Sequence, residues 1–177
     1  MADYQSIYPK TPVDAIEVKT LPAIKAMSTR SGAPYFDTAN DSFMKLFRYI
    51  QKNEVSMTVP VEAGVEDGDM RFFVGTNDAA KALASDGEVN VTPLPERTVA
   101  SVGMRGAYTR KHFDDGVRQL RAWLAAHLEW QAAGPAYPVY WNSPFVPWFI
   151  KRSEVHLPIA PATKPAATVP PQTKTIP

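Results

Sequence analysis

Cysteine is absent from the 177 residues, so disulfides, thiolate metal sites and thiol nucleophiles are excluded. Histidine is scarce: His112, His127 and His156 stand apart, with no HxxxH pair. Carboxylates are scattered without a calcium-loop pattern, and no dedicated metal site is expected. The nine glycines compose neither a GxGxxG fingerprint nor a phosphate loop. A GxSxG elbow is also missing, and no Ser-His-Asp set can be assembled from the order of residues. Neither charge is in excess, with 19 basic side chains against 18 acidic ones and a net charge of +1. A nucleic-acid partner, which needs a concentrated basic face, is therefore not expected. Long apolar runs do not occur, so no membrane span is expected. MADYQSIYPK lacks the basic and apolar regions of a secretory signal. The expected location is the cytoplasm, with a trimmed exported form as the alternative.

Apolar residues make up 45% of the chain and charged residues 21%, ordinary for one globular domain with a substantial core. The most strongly patterned stretch runs from Asn40 to Val61, NDSFMKLFRYIQKNEVSMTVPV. Phe43, Leu46, Phe47 and Ile50 fall at i, i+3, i+4 and i+7, the spacing of one apolar face of a short helix. Asn40, Asp41 and Ser42 suit its N-cap, and Asn53 suits its far end. A strand over Ser56–Glu62 follows, carrying Met57, Val59 and Val61 on one face. Lys45 and Arg48 flank the helix stripe. An aromatic stripe edged by cations suits a core, and it equally suits a flat, apolar, carboxylate-bearing ligand. The residues alone leave both readings open.

Around this stretch, residues 1–12 show no periodicity and read as a loose lead-in. Alternation predicts strands from Val13 to Val18 and from Ile24 to Ser28, joined by a turn at Leu21-Pro22. Further strands are predicted over Met70–Val74, around Val89 and Val91, over Arg97–Arg105, over Tyr137–Trp141 and over Trp148–Ile159. A second helix is expected over Arg110–Ala133, with Thr109 as its cap and Gly134-Pro135 as its stop. LPAIKAMSTRSG answers LPERTVASVGMRG, Pro22 and Pro95 being 73 residues apart, and MTVP answers WNSP. Two strand–strand–helix–strand–strand halves follow, about 13–75 and 88–159. They predict one α+β domain over 13–159, a distorted antiparallel β-barrel flanked by two helices. From Pro158 the chain holds six prolines in twenty residues. Residues 160–177 read as a disordered tail whose protein partner, if it has one, the sequence does not name.

Three features carry possible chemistry. His127 sits nearly on the midline of the second helix stripe, either as a hydrogen-bonded structural histidine or as an axial iron ligand or general base facing a cleft. Glu154 lies in an apolar strand, SEVHLPI. Pointing inward, it would be desolvated with a raised pKa, fit to bind a cation or to act as acid or base; pointing outward, it would pair with Lys151 or Arg152. Trp141, Phe145, Trp148 and Phe149 crowd YWNSPFVPWFI. They would anchor a core or, lining an opening, make a stacking surface.

FMKLFRYIQKNEVSMTVPV, RFFVG, PLPERTVASVGMRG and YWNSPF…WFIKRSEV together resemble, in order, the SOUL family of haem-binding proteins over about residues 13–157. The helix followed by MTxPV is the most specific part. The resemblance implies a duplicated distorted barrel and non-covalent binding of haem or another porphyrin in an apolar cleft beside the first helix, as carrier or buffer without covalent chemistry. It would set Phe43 and Phe47 against the macrocycle, Met44 and Met57 in the wall, and Arg48 toward a propionate. Two departures stand out. The segment between Ile50 and Met57 is shorter than in many relatives, which alters the cleft rim. No histidine occurs in or before the first helix, so affinity would rest on burial and propionate pairing. The family also looks distantly similar to gyrase-inhibitor-like effector-binding domains, some of them hydrolases. That likeness implies the alternative of another apolar small molecule handled by an inward Glu154 with neighbouring aromatics.

Overall fold

Two central strands are buried on both faces, and that fact organises the molecule. The computed structural model describes residues 4–143 and 145–163. In chain order its elements are β1 (Gln5–Ser6), β2 (Ile16–Leu21), β3 (Ile24–Thr29), α1 (Tyr35–Lys52), β4 (Thr58–Val59), β5 (Val61–Ala63), β6 (Met70–Phe73), β7 (Asn90–Leu94), β8 (Arg97–Arg105), α2 (Arg110–Ala126), β9 (Trp130–Ala132), β10 (Tyr137–Tyr140) and β11 (Arg152–Pro161). Along β8, Val99 to Met104 are all buried, as are Ser153 to Leu157 of β11. A strand buried on both sides needs a layer on each.

On one side lie the helices. Ala100, Val102 and Met104 of β8 and Val155, Leu157 and Ile159 of β11 pack with Phe113 and Leu120 of α2. Leu46, Tyr49 and Ile50 of α1 pack over Met27, Met70 and Phe72. Phe36 and Phe113 join the two helices, their rings 6.3 Å apart. The Thr109 side chain caps α2 by accepting the His112 amide. Thr109→Ala should cost about 1 kcal/mol, read as a lower urea midpoint, and Thr109→Ser should restore most of it.

The sheet is antiparallel and curled, in the order β2-β8-β11-β10-β5-β6-β3-β7, with β9 on β11. It is a half-barrel, not the expected barrel: β2 and β7 remain as edges. No helix among the described residues is long and apolar enough to cross a membrane.

Four local expectations are corrected. First, α1 begins at Tyr35, not near Asn40. Tyr35 stacks on Tyr140 at 5.6 Å, and Ser42 bonds the Gly68 carbonyl, so the apolar stripe extends one turn N-terminally and the polar run lies inside the helix. Second, α2 ends at Ala126 rather than Ala133, because Trp130–Ala132 pair with Ile159–Pro161 as β9. That pairing also carries β11 to Pro161, past the expected start of the tail, and residues 164–177 lie outside the described residues. Third, the strand read over Ser56–Glu62 divides at Pro60, where the Val59–Pro60 peptide is cis; β4 pairs with β1, and β5 with β6 and β10.

The fourth correction is the largest. The lead-in is not loose: it is the layer on the second side of the sheet. β1 runs parallel to β4, Ile7 donates to the Val59 carbonyl at 2.9 Å, and Tyr8 and Thr11 are buried. Tyr8 packs with Leu21, Val99 and Trp141.

Candidate functional site

The MTVPV segment, the outer edge of α1 and the end of β10 leave a gap between them. It is a cleft of about 380 Å³, within the ordinary range for small-molecule sites. Phe43, Met44 and Phe47 line it from α1, Met57, Val59 and Val61 from the following segment, and Tyr140, Trp141 and Phe145 from the far wall. The two phenylalanines lie one helical turn apart with rings 5.9 Å apart and nearly parallel, a flat apolar surface. Phe43 is fixed from behind by an edge contact with Phe72 at 5.4 Å. A recess of about 50 Å³ adjoins the cleft, sharing Phe43, Val61, Tyr140 and Asn142. Burial holds the Tyr140 phenol well above its ordinary pKa, so that wall offers a neutral hydroxyl.

Four of the five residues expected around a ligand thus meet in one place: Phe43, Met44, Phe47 and Met57. Arg48 does not line the cleft; it is exposed on α1, one turn beyond Met44. Leu46 and Ile50 of the same stripe turn to the core. Trp141 and Phe145, read from the sequence as core or as the lining of an opening, both line the cleft; Tyr140 was missed, although the answer of WNSP to MTVP was the available signal.

His127 is not in the cleft. It caps the C-terminus of α2, stacks on Trp123 at 4.1 Å and approaches the Trp123 carbonyl through Nδ1 at 2.7 Å. Its contacts are those of a hydrogen-bonded histidine at a helix end, and it does not line the cleft. Among the described residues, no three His, Asp or Glu side chains are grouped to hold a metal ion.

Glu154 does point inward, and 1% of it is exposed. The expected rise in its pKa is nevertheless overturned. Oε1 accepts the Thr11 amide at 2.6 Å and the Trp141 indole N–H at 3.0 Å. Oε2 accepts Lys19 Nζ at 3.0 Å, the Ser101 hydroxyl at 3.0 Å and His156 Nε2 at 2.7 Å. Burial alone would raise the carboxyl. The His156 hydrogen bond and charge, the Lys19 charge and the Thr11 amide outweigh burial and hold it near 2. A second buried carboxylate, Glu62, accepts the Tyr8 hydroxyl at 2.8 Å and Arg97 at 3.1 Å. Both carboxylates are saturated, and neither Glu62 nor Glu154 faces the large cleft.

The family model described as "SOUL heme-binding protein" matches residues 1–158. No curated protein matches the chain. Among solved structures, the crystal structure of the EcmrR C-terminal domain aligns with a TM-score of 0.60 at 14% identity, covering 84% of this chain and 98% of that one. EcmrR in its DNA complex aligns with a TM-score of 0.66 at 13% identity, where the match covers 84% of this chain but only 58% of that chain. A hydrolase from Listeria innocua aligns with a TM-score of 0.57 at 9% identity, covering 85% and 94%. At such identities the likeness is one of fold alone.

Proposed function

The chain belongs to the SOUL heme-binding protein family, and on that premise we propose that its cleft binds haem or a related tetrapyrrole non-covalently, as a carrier or buffer. The observation that carries this reading is the stacked Phe43–Phe47 pair forming one wall of a cleft of about 380 Å³ whose other walls are Met57, Val59, Val61 and Trp141. The donor set suits the ring better than the iron. The lining offers the Met44 and Met57 thioethers and tyrosine hydroxyls but no histidine among the described residues, so affinity rests chiefly on apolar burial. Arg48, exposed on α1 outside the lining, serves as a propionate partner and not as a wall.

The folded chain is also read as a duplication. Exchanging β2 with β7, β3 with β8, β5 with β10 and β6 with β11 reverses the sheet order onto itself, which supports two copies of one unit with the cleft beside the first helix. Hydrolysis through Glu154 has less support, since five donors already occupy its two oxygens.

Titration with haem should shift and sharpen the Soret band at micromolar concentration. Phe47→Ala should weaken binding about tenfold to a hundredfold, as expected for losing one buried aromatic face. Arg48→Ala should cost only a few-fold, and its effect should fade with added salt. No spectral change with the wild-type chain overturns the proposal.

A further inference from the structure

The connection between β10 and β11 is built in an unusual way. Its neck is closed: Trp141 donates its backbone N–H to the Arg152 carbonyl at 3.1 Å, and the Arg152 amide donates to Asn142 Oδ1 at 2.6 Å. The Tyr108 hydroxyl clamps the same neck, donating to the Arg152 carbonyl at 2.8 Å and accepting the Asn142 amide at 3.1 Å. Beyond the neck, one turn closes from Val146 to the Ser143 carbonyl, and a 3-10 turn covers Trp148–Ile150. A compact loop with a pinned neck holds its tip in a set shape.

That tip is apolar and uncovered. Phe145 is 93% exposed, Trp148 66%, Phe149 56% and Ile150 51%. Four large apolar side chains within six residues exceed the scattered single exposures that are normal on a protein surface. The charged residues of the connection itself have one sign. Residues 130–153 contain Lys151 and Arg152 and no acidic residue. Arg105 is the cross-strand partner of Arg152, Lys151 lies 4.8 Å from the Tyr108 ring, and exposed Lys10 lies 5.2 Å from the Trp141 ring. An aromatic tip backed by a collar of cations matches the layered chemistry of an anionic bilayer surface: apolar chains inside, negative headgroups outside. Phe145 also lines the mouth of the cleft, so a loop seated on lipid would bring that mouth to the bilayer surface.

We propose that the 145–151 loop is a peripheral docking element for anionic lipid, holding the cleft mouth against the surface from which an apolar ligand can pass. The docking claim is independent of which ligand the cleft takes.

The test is co-sedimentation of the full chain with vesicles of phosphatidylcholine alone or mixed with phosphatidylserine, together with tryptophan quenching by brominated lipid. The full chain should associate with the mixed vesicles, weakly with the neutral ones, and less as salt rises. Trp148→Ser/Phe149→Ser should reduce association at least about tenfold, and Lys151→Gln about fivefold on the mixed vesicles only. Both variants should keep the wild-type unfolding midpoint and haem titration, since none of these side chains is buried or lines the cleft; a failed haem titration with intact vesicle binding would refute only the ligand reading. Absence of vesicle association, association unchanged in the double variant, or a dimer lost in that variant without lipid binding would each overturn the proposal.

Discussion

Glu154→Ala lowers the unfolding free energy by about 3–5 kcal/mol, the range for removing one partner of a buried, hydrogen-bonded charge cluster. The substitution strands the Thr11 amide, the Trp141 indole N–H, the Ser101 hydroxyl and Lys19 around one missing acceptor. Lys19 keeps its contact to the Pro9 carbonyl at 2.7 Å, so its charge stays inside the fold. The check is the urea midpoint together with its pH dependence. The folded carboxyl is held near 2 against an ordinary value of 4.5. A carboxyl depressed by folding contributes fully above its unfolded pKa, and its contribution is lost as pH falls toward the folded one. Wild-type stability should therefore drop between about pH 4.5 and about pH 2, and the drop should be shallower in Glu154→Gln. Equal acid profiles in the two chains would refute the assignment.

Gly103→Ala should cost about 3 kcal/mol through overpacking against backbone. An added methyl stands against the carbonyl oxygens of Pro12 and Thr11, 2.5 Å from the latter. Neither can swing away as a flexible side chain would. The chain at this point is tied on both sides, with Asp14 donating to the Gly103 carbonyl at 2.8 Å and Gly103 donating to the Ala15 carbonyl at 3.1 Å. The methyl therefore lifts residues 11 and 12 away from Glu154 or pushes β8 inward. Trypsin cleavage after exposed Lys10 should accelerate along with the loss of stability. Combined with Glu154→Ala, the total should fall short of the sum, since both changes unseat the same segment.

Side-chain pattern along the chain made the α1 stripe readable, because a helix packed on a sheet repeats its apolar positions locally. Phe43 and Phe47 were legible as one edge for the same reason, and the family resemblance placed Met44 and Met57 beside them. Residues 4–12 were not legible. Their hold on the sheet comes from a tyrosine hydroxyl, a threonine amide and a short parallel pairing, none of which imposes a period. The end of α2 misled in the opposite sense: Leu128 and Gln131 continue the helical spacing, but Leu128 is 82% exposed and the next residues pair with the end of β11. The aromatics of YWNSPFVPWFI divided in a way composition does not encode. Trp141 is buried because its N–H meets Glu154, while Phe145, Trp148 and Phe149 stand outside. Arg48 could be placed on its helix but not in the cleft, since one helical turn carries it past the rim.

The bond from the Thr11 amide to Glu154 spans 143 residues, and that from Thr11 to Ser101 spans 90. On a ribosome the segment bearing Tyr8 and Thr11 emerges well before the strands that carry its acceptors. Until β11 is synthesised, that segment has no finished surface to settle on, and the curled sheet stays open on that side. Contacts of such separation form late, because the closure of a long loop precedes any reward from them. A segment made before the sheet is thus sealed after it, and a chain halted before Glu154 should stay protease-sensitive from Lys10 onward.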